Sequence, residues 1–446
     1  MPWSARERRG GKGGRVSVGA GRAGGEDRRA LVAWCIYDWA NSAFPTVILT
    51  FVFAAYFARG VAETPIQGTA LWGWTLTVSG IAMALLGPIL GAVADQGGRR
   101  KPWLALCTAA CVLATAALWF TKPDPAWALW AMVFVGLANL AFEFGTVFYN
   151  ALLPGLAPRA RLGRWSGWGW GLGYAGGLSC LVVGLFGLVQ ADPAPFGLDK
   201  AAAEPVRAVA LLAAIWFAVF SLPLFWRVPD APGRKVRSGK AVRDGLRALV
   251  ATLRSLPHRR GVGRYLLARM IYTDGLNTLF AFGGLYAAGT FGMEVAEVIQ
   301  FGIALNVTAG LGAGLFAWID DRIGAKRTVM IALAALTVIG AALLLVESTA
   351  AFWGLGLALG AFFGPAQAAS RSLMARLAPP AHEAEMFGLY ALSGKATAFV
   401  GPALLGWATL VFDSQRAGMA TILIFFIAGM ALLAGVAEPA REDAPA

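Results

Sequence analysis

The chain has 446 residues, 58% of them hydrophobic and only 14% charged, whereas soluble chains are about a quarter charged, so it has too few polar side chains to coat a water-soluble globule. Its 38 Lys and Arg against 25 Asp and Glu give a formal net charge of +13, but these residues sit between apolar runs with no zinc-finger spacing or aromatic-basic stripe, which argues against nucleic acid. Seventeen Trp, 27 Phe and 56 Gly suit a membrane, where aromatics line the interfaces and Gly permits close helix approach.

In chain order, residues 1–30 are rich in Arg and Gly and lack the apolar core of a secretory signal. They read as a disordered basic cytoplasmic tail, or in part as residues upstream of the true start. A bilayer-crossing helix needs about 20 apolar residues, and twelve such runs follow: 31–58, 70–94, 103–121, 126–153, 165–190, 206–226, 263–289, 296–319, 327–346, 350–376, 384–411 and 416–437. The expected fold is therefore all-α and polytopic, with a six-helix bundle at 31–227, a basic cytoplasmic linker at 228–262, a second six-helix bundle at 263–437 and a cytoplasmic tail at 438–446.

Basic residues crowd alternate loops, at Arg99 to Lys101, Arg159 to Arg164, the linker, and Arg322 to Arg327. The positive-inside rule then places both termini in the cytoplasm. Within the linker, an amphipathic helix over about Arg243–Leu256 that leans on anionic headgroups and a plain solvated loop are equally compatible with the pattern. Cys35, Cys107, Cys111 and Cys180 lie in apolar stretches and read as small core residues; neither they nor His382, Glu383 and Glu385 have a metal-ligand spacing, so no metal and no cofactor is expected.

The two halves repeat one another. Gly91-Ala-Val-Ala-Asp95-Gln-Gly-Gly98-Arg99-Arg100-Lys101 ends the second run, and Ala317-Trp-Ile-Asp-Asp321-Arg322-Ile-Gly324-Ala-Lys326-Arg327 ends the eighth. Asp38-x-x-Asn41-Ser42-x-Phe44 in the first run is matched by Asp274-x-x-Asn277-Thr278-x-Phe280 in the seventh. Duplicated halves with sites at their interface are a transporter architecture.

The Gly-x-x-x-Asp-x-x-Gly-Arg-[Arg/Lys] loop after the second of twelve helices resembles the signature of the major facilitator superfamily. Tyr37 to Phe44, Tyr149-Asn-Ala-Leu-Leu-Pro154, Ser370-Arg371-Ser372-Leu373 and Phe387-Gly-Leu-Tyr390 resemble its branch named for the yeast autophagy-related vacuolar amino-acid effluxer. That resemblance covers about residues 31–437. It implies two bundles rocking about a cavity lined by helices 1, 4, 7 and 10, and export of an amino acid or similar small metabolite.

An Asp at the carboxyl end of a helix opposes the helix dipole, at a cost of roughly 0.3–1 kcal/mol unless a cation or another helix's amino end compensates. The resemblance implies that Asp95 meets the amino end of helix 11, that Arg99 helps hold it, and that the pair latches the cytoplasmic side. Gly91, Asp95, Gly98 and Arg99 are thus expected to gate, with Asp321 and Gly324 in the mirrored role; the plain alternative is a tight basic turn.

Ionisable groups inside membrane helices cost about 2.5–3.5 kcal/mol on insertion scales, which makes each a functional candidate. They are Asp38, Glu143, Asp274 and Lys395. Asp38 and Glu143 lie at similar depth and are expected to face one another, which would suit proton coupling. Asn41 and Asn277 stand one helical turn after Asp38 and Asp274, offering an acceptor charge and an amide to a substrate. Against these roles, Asp38 pairing with an Arg, Asp274 pairing with Arg269, and Lys395 pairing with one of the acids instead of a substrate carboxylate are equally open. Gly169, Gly173 and Gly177 form a small-residue stripe on helix 5, either sliding on helix 8 or packing within one half.

The expected function is secondary active transport of a small polar solute by alternating access, with the lipid bilayer and protons as further partners and a monomer as the working form, in a bacterial inner membrane. No phosphate-binding Gly-x-x-x-x-Gly-Lys-[Ser/Thr] loop occurs, and the two histidines, His258 and His382, sit in loops, so an ATP-driven pump and an intramembrane enzyme are both disfavoured. A transporter-like sensor or lipid-handling protein is the alternative.

Overall fold

The computed structural model describes residues 27–230, 238–255 and 260–438; the expectations for most of the amino-terminal tail, for His258 and for the last eight residues lie outside them. Among the described residues, ten helices are long and apolar enough to cross a membrane: Arg28–Val61, Pro65–Gly97, Lys101–Phe120, Pro125–Leu156, Arg159–Val189, Glu204–Arg227, Glu297–Ile323, Ala325–Leu343, Thr349–Leu377 and Gln415–Ala434. Arg260–Phe291 and the pair Glu383–Ser393 with Val400–Val411 complete twelve. Numbered 1 to 12 in chain order, the first six are helices 1–6, Arg260–Phe291 is helix 7, and the divided pair is helix 11.

Local chemistry explains the irregular elements. Asp27 caps helix 1 by accepting from the amides of Arg29 and Ala30, satisfying donors that the first turn leaves free. Pro45 has no N–H to donate to the preceding turn, and the helix widens there into a π-helix over Phe44–Phe51. Gly-Pro pairs occur at Gly87-Pro88, Gly364-Pro365 and Gly401-Pro402, and helices 2 and 10 continue through Pro88 and Pro365. Helix 11 is divided instead, with Lys395 in the irregular stretch between Ser393 and Val400.

Helices 1 to 6 and 7 to 12 form two bundles that meet along helix 2 against helix 11 and helix 5 against helix 8. Both termini of the described chain and the segment joining the bundles lie on one side, here termed the linker face. The linker forms a helix, Ser238–Ser255, and packs on helix 2, with Gly245 against the backbone of Ala92 and Val93 and with Leu249 and Thr252 buried.

The helix 5 glycines resolve into two stripes. Gly169, Gly173 and Gly177 face Asp38, Ser42 and Thr46 of helix 1, within one half. The contact with helix 8 is made by Gly163, Gly167 and Gly171, which face Asp320, Ala313 with Ala317, and Gly310. Helix 5 is glycine-rich on two faces because it packs closely on two helices at once.

Candidate functional site

Polar contacts between the bundles form a ladder that begins at the linker face. On the outermost rung, Asp95 accepts from the backbone amides of Ala384 (3.3 Å) and Glu385 (2.8 Å) at the amino end of helix 11. This meets the dipole problem of an Asp at a helix carboxyl end. The two helices touch because Gly91 has no side chain; a Cβ there would collide with the carbonyl of Ala384. Gly98 ends helix 2 with φ of 73°, a left-handed conformation that suits glycine. The chain turns so that Arg99 is exposed and Arg100 folds back, 2.9 Å from Asp95 and also paired with Glu383. The cation that holds Asp95 is therefore Arg100, where the sequence suggested Arg99.

The mirrored rung is built the same way. Asp321 accepts from the amide of Arg164 (3.1 Å) at the start of helix 5 and lies 3.3 Å from the Arg164 side chain. Helix 8 has Ala317 where helix 2 has Gly91, and the missing side chain is on the partner helix instead: a Cβ at Gly167 would meet Ala317. Gly324 turns the chain with φ of 97°. Beside it Asp320, absent from the sequence expectation, is buried against Arg376 (2.7 Å) and Ser372 (2.6 Å), and Arg376 also binds Glu438.

Deeper in, Arg371 of helix 10 crosses to the first bundle. Its guanidinium donates to Asp38 (2.9 Å), to Asn150 (3.3 Å), and to Ser166 at both the hydroxyl (2.9 Å) and the carbonyl (2.6 Å). It lies over the rings of Trp34, Tyr149 and Trp170 at 4.8, 5.8 and 5.6 Å. A planar five-donor cation with π faces suits such a cage. Trp34 and Tyr149 are themselves stacked at 4.5 Å and exchange hydrogen bonds with one another's backbone, which fixes helix 1 to helix 4. Arg371 is an intramembrane charge and should have counted as a candidate on that ground alone.

The next rung is Lys395 with Glu143, 2.8 Å apart. Glu143 lies 13 residues from the linker-face end of helix 4, a depth of ~20 Å at ~1.5 Å per residue. Lys395 thus pairs with an acid, and Asp38 and Glu143 are each matched to a cation from the other bundle. Among the described residues no ion pair joins the bundles beyond this point toward the far face.

Above the Arg371 floor is a central cavity of about 490 Å³, within the range of ~300–1,000 Å³ typical of small-molecule sites. Asp38, Asn41, Glu143, Asn277, Arg371 and Lys395 line it, with Thr146, Asn306 and Gln367. Asp274 does not line it. That side chain is buried behind helix 7, accepting from the amide of Gly401 (3.1 Å) where helix 11 resumes. Arg269, its suggested partner, instead donates to Tyr390 and Ser393 and lies over the Tyr390 ring. Metal-binding clusters are absent among the described residues.

A family model described as "Vacuole effluxer Atg22 like" matches residues 60–444. An uncharacterized MFS-type transporter, YxiO, of Bacillus subtilis (strain 168) is 28% identical over 414 residues, covering 92% of this chain and 95% of that one. Autophagy-related protein 22 of Cryptococcus neoformans var. neoformans serotype D (strain B-3501A) is 26% identical over 305 residues, 63% of this chain and 54% of that protein. Among solved structures, the major facilitator transporter FucP in its outward conformation superposes with a TM-score of 0.72 at 12% identity, over 92% of this chain and 99% of FucP. The proton:xylose symporter XylE superposes equally well, at 0.72 and 14% identity, over 92% and 96%. These likenesses show the major facilitator fold, and the family match goes further: the chain belongs to the Atg22-like branch of the major facilitator superfamily and is an integral membrane transporter.

Proposed function

We propose that this transporter exports a small zwitterionic metabolite, an amino acid or a close analogue, across a bacterial inner membrane by proton-coupled alternating access. The observation that carries the reading is the Lys395–Glu143 pair, one partner from each bundle, inside the central cavity. A zwitterion offers a carboxylate to Lys395 and an ammonium to Glu143, replacing one ion pair by two. Asn41 and Asn277, one from each half, supply amide groups beside it. Protonation of Glu143 would release Lys395 and loosen the bundles at the same step.

On this reading the basic linker face is cytoplasmic, and the closed rungs at Asp95 and Asp321 are the cytoplasmic gate. Gly91, Gly98 and Gly324 allow the close approach and the turns on which that gate depends. The contacts described belong to the state closed toward the cytoplasm. Opening requires Asp95 to leave helix 11 and Asp321 to leave helix 5 together, because both rungs join the same two rigid bodies.

The test is transport of labelled amino acids by the purified chain in vesicles with an imposed pH gradient. Wild type should accumulate substrate against its gradient. Glu143→Gln should retain exchange of internal for external substrate but lose the response to the pH gradient. Full gradient-driven transport by that variant would sink the coupling role of Glu143, and equal inertness toward all zwitterions in wild type would sink the substrate class.

A further inference from the structure

A second cavity, of about 420 Å³, lies mainly in the second bundle and is large enough to be a small-molecule site in its own right. It lies among the far-face portions of helices 7, 8, 9, 10 and 12, with Thr50, Phe51 and Ala55 of helix 1 and Tyr174 of helix 5 along one side, and its lining is apolar but for a few side chains. Thr50, Phe51, Tyr174, Phe280, Asn306 and Phe363 line both this pocket and the central cavity. The two spaces therefore adjoin, and the stacked rings of Phe280 and Phe363, 5.8 Å apart, stand at their boundary.

At the matched positions of the repeat the two halves differ in bulk. Phe44 in the first bundle is buried, as are Val47 and Ile48 three and four residues later. In the second bundle Phe280 holds the position of Phe44 in the Asp-x-x-Asn-[Ser/Thr]-x-Phe repeat and is 52% exposed. Gly283 and Gly284 follow it at the same spacing, and both line the pocket. Branched aliphatic side chains in one copy and glycines in the other leave space that a packed bundle would fill, and unfilled apolar volume is destabilising. An apolar occupant restores those contacts.

We propose that this side pocket receives the apolar part of the transported solute. The solute is then an amphipathic zwitterion: its charged head lies between Glu143 and Lys395, and a long alkyl or multi-ring group passes Phe280 and Phe363 into the second bundle. This rests on the zwitterion reading of the central cavity and adds to it a demand for apolar bulk.

The experiment measures competition by α-amino acids with straight alkyl side chains, from alanine to 2-aminododecanoic acid, on the full chain in phosphatidylcholine vesicles at matched free concentration. It is run on wild type, Gly283→Leu and Gly302→Leu. Gly283 and Gly302 both line the pocket, and a Cβ at either would meet no heavy atom within 4 Å, so each added side chain starts from open space. Wild-type affinity should rise about fourfold per added methylene until the pocket is full. The variants should lose about tenfold or more for the long members and keep the affinity for alanine. Affinity independent of chain length, or equal loss for alanine and the long members, overturns the assignment. So does a phospholipid that co-purifies with wild type and is expelled by both variants while solute preference stays unchanged. If no member of the series binds, the zwitterion reading fails instead. Straight-chain alkylamines of the same lengths then probe the pocket through thermal shift, and stabilisation of the variants equal to that of wild type overturns it.

Discussion

Arg371 of helix 10 and Asp38 of helix 1, 333 residues apart in the chain, form an ion pair of 2.9 Å at the floor of the central cavity, with side chains only 3% and 13% exposed. Removing one partner of a buried pair strands the other charge, at a cost of about 3–5 kcal/mol. Arg371→Ala should therefore lower the unfolding temperature in detergent markedly, and Arg371→Gln with Asp38→Asn should recover much of the loss. Arg371→Lys keeps the charge but gives up the second and third arms of the fork on Ser166 and the stacking on Trp34. It should fall between wild type and Arg371→Ala. Equal stability of all four proteins would show that the cage does not hold the bundles together.

The two outer rungs should act as one gate. Asp95→Ala removes the acceptor for helix 11, and Asp321→Ala removes the acceptor for helix 5. Each should shift the population toward a state open at the linker face, and the double variant should shift it further. Spin labels at Arg99→Cys and Arg327→Cys, both exposed on that face and on different bundles, report the separation in a background without the four native cysteines. Lengthened distances in the single variants are the expected outcome, and an unchanged distribution in the double variant rules the gate out.

Adjacent arginines give a sharper test of the same rung. Arg100→Gln removes the cation from Asp95 and Glu383 and should behave as Asp95→Ala does in the spin-label distances. Arg99→Gln touches an exposed side chain and should leave transport and conformer populations within error of wild type. The opposite ranking would mean that the turn at Gly98 rearranges in the membrane.

This last contrast shows where the sequence stops being informative. The twelve helices were readable because each needs its own apolar run, and the paired contacts at Asp95 and Asp321 because duplication wrote the same motif twice. Whether Arg99 or Arg100 returns to Asp95 depends on the left-handed turn at Gly98, which rotates one of two identical side chains outward. Asp38 and Glu143 were recognisable as costly charges, but their partners, Arg371 and Lys395, come from the other bundle, and no local periodicity encodes contacts between rigid bodies. The helix 5 glycines were left open between two neighbours for a related reason. Two small-residue stripes interleave along one helix, and spacing does not say which neighbour each one meets.

Asp274 and Asn277 occupy repeated positions but should respond differently. Asp274 lies outside the cavity and accepts from the Gly401 amide where helix 11 resumes, so Asp274→Asn keeps an acceptor and should retain most transport. Asp274→Ala leaves that buried amide without a partner, at about 1–3 kcal/mol, and should lower the unfolding temperature and the maximal rate together. Asn277 lines the cavity, and Asn277→Ala should raise the apparent KM with little change in stability. Loss of pH-gradient response in Asp274→Asn alone would move the proton site from Glu143 to Asp274.

The two pairs that cross the cavity differ in what can reach them. The Lys395 side chain is 38% exposed and Glu143 is 17% exposed, against 3% for Arg371. Water or solute can replace a partner for Lys395 but not for Arg371. Ion pairs open to solvent contribute about 0–1 kcal/mol, so Lys395→Met and Glu143→Gln should each shift the unfolding temperature less than Arg371→Ala does. Their effect belongs on the solute instead. Loss of one charge contact to a zwitterion should raise the apparent KM about tenfold, equivalent to ~1.4 kcal/mol, and a double variant should not simply double that loss, because the two groups hold one molecule. Measuring unfolding temperature and KM on the same three single variants separates the roles: if Lys395→Met destabilises as strongly as Arg371→Ala and leaves KM unchanged, the pair is a strut and the solute binds elsewhere.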